Sequence, residues 1–365
     1  MYSMRFLPLM ILLFSLGPGV SAQAPEGGGN LPKKALEIIV ANLRNDDSDV
    51  KAYAIETLGQ TGNLKLIPVI KKYLSDANRY VQISSAKALW ELSDGSGIKK
   101  LYEILNEIPA QGPIVNAPLV ELKIIAQNKI REKALETLAS LQGVKARDTL
   151  IELKNDNYGS IRDAAARELA RLGFKEELEE FFYALDSKDE EVRYQTAQIL
   201  SRVCPDDLDK IAVMLGSEKS IRVKMFLLDT VNCSRSKKDA LEQLLALSDD
   251  KNPTLRYKAV EALGEIKSAK VFEKLEKIRL DTPDLSLKIS AMKSLIENGR
   301  IKFDYTELDD AVSAADARLK RRIITLCPLM EKAQAMKYLS ALMFDKDLYV
   351  QLDASLQVIK LSGRN

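Results

Sequence analysis

The side chains that most often do chemistry are scarce in this chain, and that scarcity constrains its function before any fold is considered. Among 365 residues there is no histidine. Ser-His-Asp and Cys-His mechanisms, histidine-bound zinc and HExxH hydrolysis all need one. The sequence also lacks a glycine-rich phosphate loop, a GxSxG elbow and a GxGxxG turn, the arrangements that present a nucleophile or bare backbone N–H groups to substrate. Its cysteines, Cys204, Cys233 and Cys327, are too scattered for a metal site. Carboxylates are plentiful. The densest run, KEELEEFF over Lys175–Phe182, has apolar partners at helical spacing and reads as a solvated helix face. The inventory implies no cofactor, no metal and no enzyme. The alternative, a carboxylate-dependent activity, would need acids converging in a deep pocket.

The N-terminus and the composition say where such a chain works. Arg5 precedes the apolar run FLPLMILLFSLG, Phe6 to Gly17, and small residues then offer cleavage after Ala22 or Ala24. This is the pattern of a secretory signal, so residues 1–24 read as a signal peptide and 25–30 (PEGGGN) as a flexible spacer. The run is short of the roughly 20 residues a transmembrane helix needs, although an uncleaved anchor is the alternative. The expected location is periplasmic or extracellular, with no stable membrane insertion after cleavage. A net charge of +2 makes no electrostatic case for nucleic acid or an anionic membrane surface. Hydrophobic residues at 46% against aromatics at 6% favour helices with a well-filled core.

Those helices repeat. An apolar stripe at i, i+4 and i+8, one face of a helix, occurs at Val50, Ala54 and Leu58. It returns from lead residues Val81, Ile130, Ile161, Val192, Ile221, Leu255, Leu287, Leu319 and Val350, at spacings of 29 to 34 residues apart from one of 49. A second apolar helix precedes each stripe, as in LIPVIKKYL (Leu66 to Leu74). An acid marks the turn between the two: Asp47, Asp76, Asp156, Asp189, Glu218, Asp250, Asp284, Asp316 or Asp347. A base follows most lead residues, Lys51, Arg131, Arg193 and Lys320 among them. The acid is expected to cap the second helix, and the base to reach the turn of a neighbouring repeat.

Segments such as SDANRYVQISSAKALWEL, DSKDEEVRYQTAQILSRV and NPTLRYKAVEALGEI resemble the HEAT-repeat family, in particular the variety named after phycobilin lyases. The copy led by Ile221 matches less well, with Asp229 on its stripe; the copy led by Leu319 has Cys327 there, which still packs as a small hydrophobe. The resemblance implies an all-α solenoid of about ten helical hairpins over residues 31–365, in which neighbours bury one another's apolar faces. The Val350 copy, with no hairpin after it, is expected to be a terminal cap. The fold hosts scaffolds and some enzymes alike. The hydroxylase branch holds its iron with His-Glu pairs that this chain lacks, and export argues against lyase work on a tetrapyrrole. An activity of the lyase branch stays as the alternative to a non-catalytic scaffold for a protein or peptide partner.

Three features stand out from the repeat as candidate sites. The 49-residue spacing holds an insertion at about 108–125, proline-rich up to Pro118 and with Ile114 and Val115 at its tip. Insertions of this kind project from one face and serve as partner sites or pack on their own repeat. Cys204 and Cys233 occupy equivalent positions in adjacent repeats, 12 residues after Val192 and Ile221. They form either a disulfide, if their Cα atoms lie within about 7 Å, or two separately buried thiols. In the family, the helices carrying the lead residue line the concave side. Tyr194, Val223, Tyr257 and Ile289, two places after their leads, then form an apolar and aromatic stripe that is either a partner surface or packing between repeats.

Overall fold

The computed structural model describes residues 31–109, 118–314 and 316–363. The signal and spacer segments, and Ile114 and Val115, lie outside these residues. Among the described residues the chain folds into helical hairpins without a strand. The first hairpins pair α1 (Leu31–Asn42) with α2 (Ser48–Gly59), α3 (Ile67–Lys71) with α4 (Arg79–Glu91), and α5 (Ile98–Leu105) with α6 (Pro118–Gln142). Next come α7 (Arg147–Leu153) with α8 (Gly159–Arg171), α9 (Lys175–Ala184) with α10 (Glu190–Val203), and α11 (Asp209–Ser217) with α12 (Ile221–Cys233). The last are α13 (Leu241–Leu247) with α14 (Pro253–Gly264), α15 (Ala269–Asp281) with α16 (Leu285–Glu297), α17 (Tyr305–Ala314) with α18 (Ala317–Leu326), and α19 (Lys332–Leu342) with α20 (Leu348–Ser362).

Each hairpin follows from local rules. In α14, the Asn252 side chain accepts the N–H groups of Thr254 and Leu255, Pro253 occupies the first turn, and Leu255, Ala259 and Leu263 are buried. Asp47, Asp189, Asp284, Asp316 and Asp347 cap their helices in the same way. Asp76, Asp156, Glu218 and Asp250 do something different. Each sits two residues before the cap position and accepts the backbone N–H of that residue at 2.7–2.9 Å. Three of them, and Asp345 in the same place, also receive the base of the preceding repeat: Lys51 on Asp76 (3.4 Å), Arg131 on Asp156 (2.6 Å), Arg193 on Glu218 (2.8 Å) and Lys320 on Asp345 (2.6 Å). The recurring acids and bases therefore tie one hairpin to the next.

The even-numbered helices stack in sequence from α2 to α20, and α20 then packs back onto α1 and α2. Leu352 of α20 is fully buried among Val50, Ala54 and Leu58 of the first hairpin, while Ala35 of α1 lies with Val350, Ala354 and Val358. The solenoid is a closed ring. The expected terminal cap at Val350 is thus corrected: α20 has a neighbour on both sides, and α1 covers the face that a following hairpin would have covered.

Register departs from expectation in one repeat. Val192 is 39% exposed, but Thr196 and Leu200 of its stripe are buried as expected; Ile221 is 50% exposed and leads no buried stripe. In α12 the buried stripe is Val223, Leu227 and Val231, two residues later than expected. Asp229 then faces outward to pair with Lys258. With Val223 as lead, the spacings of 29 and 34 become 31 (from Val192) and 32 (to Leu255), and the period is restored.

Cys204 and Cys233 are joined across the C-terminal ends of α10 and α12, with Cα atoms 5.4 Å apart at a sequence separation of 29. Cross-linking a loop of that length removes chain entropy from the unfolded state worth about 3–4 kcal/mol. Denaturant unfolding with and without reductant is expected to differ by that order, and a Cys204→Ser/Cys233→Ser variant should match the reduced protein. Equal midpoints with and without reductant would show that the bridge contributes nothing. Cys327 is free and buried, and burial pushes its thiol up to about 12, so it behaves as a core side chain.

Candidate functional site

The stripe expected two places after each lead residue is not continuous at the surface. Val223 is fully buried and Ile289 is 4% exposed. Val223 is buried because it leads the shifted stripe of α12, and Ile289 because its place in α16 faces the core, so neither is available to a partner. Tyr194 and Tyr257 remain half-buried, and each is covered by an arginine. The Arg222 guanidinium lies 4.5 Å over the Tyr194 ring, and Phe226 meets that ring edge-on at 5.4 Å. Arg222 is itself held by Glu190 (2.6 Å) and Glu191 (3.0 Å).

Tyr257 belongs to a larger arrangement. The Arg322 guanidinium of α18 lies 3.7 Å from its ring centroid, reaching across α16 to α14. The Tyr257 hydroxyl donates to Glu261 at 2.5 Å and accepts from the Ser290 hydroxyl at 3.4 Å. Burial, reinforced by the hydrogen bond to Glu261, pushes the Tyr257 phenol well above its ordinary value, so it stays neutral and a donor. A cavity of about 320 Å³ opens beside it, lined by Asn232, Glu261, Ser290, Lys293, Glu297 and Arg322 among others. Arg322 and Thr325 also line a second cavity of about 440 Å³, with Arg318, Arg321, Tyr349 and Asp353. The two share Arg322 and Thr325 as a common wall on the face of the even-numbered helices.

The second cavity ends at the ring seam. The Tyr53 hydroxyl donates to Asp353 (2.6 Å), and Arg321 donates to Asp353 (2.6 Å) and to the Tyr53 oxygen (2.8 Å). Tyr349 meets the Tyr53 ring edge-on at 5.1 Å. Burial, then the bond to Asp353, pushes the Tyr53 phenol up to about 12. Tyr53, Arg321 and Asp353 thus partner one another, which makes the seam a fastening.

A second polar cluster sits where α6, α8 and α10 meet. Arg167 binds Glu132 (3.0 Å) and Glu136 (2.6 Å), and Arg202 of α10 reaches past α8 to the same two acids at 3.7 and 3.6 Å. Burial raises the pKa of the nearby Glu168, against the pull of Arg171. Among the described residues no group of three or more acids and cysteines is placed to hold a metal ion, and no helix is long and apolar enough to cross a membrane.

The repeat pattern in the sequence singles out Tyr194 and Tyr257 but not Arg322. Its partner lies two hairpins away, and a contact of that kind depends on how sharply the stack curves.

Fold and inner face together define a closed α-solenoid of helical hairpins with polar cavities. A sequence model of HEAT repeats matches residues 36–111 and 217–296, and those segments are HEAT repeats. No curated protein matches the sequence. Among solved structures, similarity extends to the complex of CpcE and CpcF of phycocyanin lyase from Nostoc sp. PCC7120, at 17% identity and TM-score 0.35, over 87% of this chain and 100% of that one. Human deoxyhypusine hydroxylase in complex with glycerol is similar at 16% identity and TM-score 0.31, over 73% and 97%. A Kap121p mutant is similar at 14% and 0.30, over 92% and 38%. These are likenesses of fold alone.

Proposed function

We propose that the protein is a non-catalytic scaffold, exported to the periplasm or beyond, that holds a protein or peptide partner against the inner face of its ring. The observation that carries this reading is the pair of half-buried tyrosines, Tyr194 and Tyr257, each stacked with an arginine, the second beside a cavity of about 320 Å³. Tyrosine and arginine dominate binding hot spots because they offer large rigid area with polar tips. The signal-like segment supports export, and the absence of histidine supports a binding role.

The test is affinity capture from the native envelope fraction with the chain from residue 25 onward, beside a Tyr194→Ala/Tyr257→Ala variant shown by melting to be folded. A partner retained by the parent, lost at least tenfold by the double variant and kept by a variant lacking Gly112 to Ala117 is the expected result. Loss with the deletion alone would move recognition to the insertion. Turnover by the purified protein that disappears in a Glu168→Gln variant would replace the scaffold with an enzyme. Recovery of an uncleaved chain from the cytoplasm would remove the export part.

A further inference from the structure

We infer that the ring yields at one joint, between α8 and the hairpin α9–α10, and that the ion cluster on the inner face there is its clasp. The inference does not depend on what the inner face binds. Apolar packing gives the first reason. The buried apolar side chains of the described residues form four clusters around the ring, and at three of the four boundaries one helix supplies both sides. α4 gives Leu89 to one cluster and Ile83 to the next, α16 divides Ala291 from Met292, and α20 divides Leu352 from Val350. The fourth boundary has no such helix. Ile161, Ala165 and Leu169 of α8 pack with the hairpins before them, whereas Ala197 and Leu200 of α10 pack with those after. In α9 itself the one buried residue is Glu177. A break in the apolar core is where a fold opens most readily.

The tie between hairpins is missing at the same place. Elsewhere a base after the lead residue reaches an acid of the next hairpin, as Arg131 does with Asp156. Here Ser187 stands in the acid's place, and the exposed Arg162 donates to the Asp156 carbonyl of its own turn at 2.8 Å. Beyond the joint, by contrast, α10 is fastened to α12 by the Cys204–Cys233 bridge and by Arg193 on Glu218, so the two move as one block. What spans the joint is charge. Lys154 of the α7 hairpin pairs with Glu177 of α9 at 2.5 Å, and Arg202 of α10 reaches Glu132 and Glu136 of α6 at 3.7 and 3.6 Å. The Arg202 side chain is half exposed, so its attraction to both acids weakens as salt screens it. Arg167 holds the same acids from α8, but its Nε is buried without an acceptor. The clasp is thus incompletely satisfied even when closed.

Paired spin labels test the joint in the folded chain from residue 25 onward. Cys327 is buried and the other two cysteines are bridged, so labels attach at introduced sites alone. Ile151→Cys with Val213→Cys, on α7 and α11, spans the joint. Val213→Cys with Leu280→Cys, on α11 and α15, spans an unbroken part of the core. Melting curves establish that each variant folds, and Val144→Cys, at a site 67% exposed, replaces Ile151→Cys if that one does not. The first pair is expected to give a broad or two-peaked distance distribution, and the second a narrow one. Arg202→Gln, or raising NaCl from about 0.05 to about 0.5 M, should increase the longer component of the first pair about two- to fivefold and leave the second unchanged. Hydrogen exchange in α9 and the first turns of α10 should run about tenfold faster than in α14. Equally narrow distributions for both pairs, indifferent to salt, overturn the joint. Fast exchange in α9 beside a narrow first pair would mean local fraying, and overturns it as well. A broad first pair that ignores both Arg202→Gln and salt overturns the clasp and leaves the joint standing.

Discussion

Replacing Leu352 by alanine is expected to loosen the first and the last hairpins together and to lower global stability by about 2–5 kcal/mol. Leu352 is fully buried in one core cluster with Val50, Ala54 and Leu58, some 300 positions earlier. In an open solenoid the loss of a terminal apolar contact frays only the end that loses it, because each hairpin touches only its neighbours. In a closed ring the same truncation opens a seam shared by both ends. Hydrogen exchange distinguishes the two cases. Protection should fall in α1 and α2 as well as in α19 and α20, whereas Val213→Ala, at a site 72% exposed, should change neither. Unaltered exchange in α1 and α2 would mean that the seam contributes little and that the chain behaves as an open stack. Asp353→Ala, which removes the acceptor shared by Tyr53 and Arg321, should reproduce the pattern at smaller amplitude.

Much of this architecture was legible in the sequence, and what was not has a common cause. The hairpins, the apolar stripes and most of the caps are set by residues within a turn or two of each other, so a spacing such as Leu255, Ala259 and Leu263 declares them. The shifted register of α12 was readable in principle. Asp229 on a nominally buried stripe and spacings of 29 and 34 both vanish when Val223 leads. Closure was not readable. It sums the small rotation of each hairpin on the last, and no residue pair close in sequence records that sum. The same holds for the candidate site. Tyr257 was identified by its place in the repeat, but Arg322 stacks on it only because the ring curves tightly enough for α18 to reach past α16 to α14. Arg202 makes the equivalent reach past α8, so the inner-face site is a product of curvature more than of any one helix.

Asp156→Ala is expected to cost about 3–5 kcal/mol, far more than the loss of a surface ion pair. The partner it leaves behind, Arg131, is 1% exposed, and the Asp156 side chain is 5% exposed. Arg131 also donates to the Leu105 carbonyl at 2.8 Å and to Asn128 at 3.1 Å, which fixes the guanidinium in place. Removing the carboxylate strands that charge. Replacing both members, as Arg131→Met/Asp156→Leu, is expected to recover most of the loss, since an apolar pair of similar volume avoids desolvating either ion. The pair also predicts a pH dependence. Burial alone would raise the Asp156 pKa, but the hydrogen bonds from Arg131 and the Tyr158 N–H, with the Arg131 charge, outweigh it and hold the carboxyl below its ordinary value. A depressed folded-state pKa contributes stability that is fully present above the unfolded value, about 3.9, and is lost as pH falls through the folded one. The gap between the parent and Asp156→Ala should therefore be constant from neutral pH down to about 5 and narrow below about 4. Glu218 and Asp345, whose pKa values are lowered by bonds from Arg193 and Lys320 against the same burial penalty, should make the whole ring lose stability in that acid window. Urea unfolding of the parent and both variants across pH 3 to 7 would measure it, and a gap that widened on acidification would show that the carboxylate is not the group holding Arg131 in place.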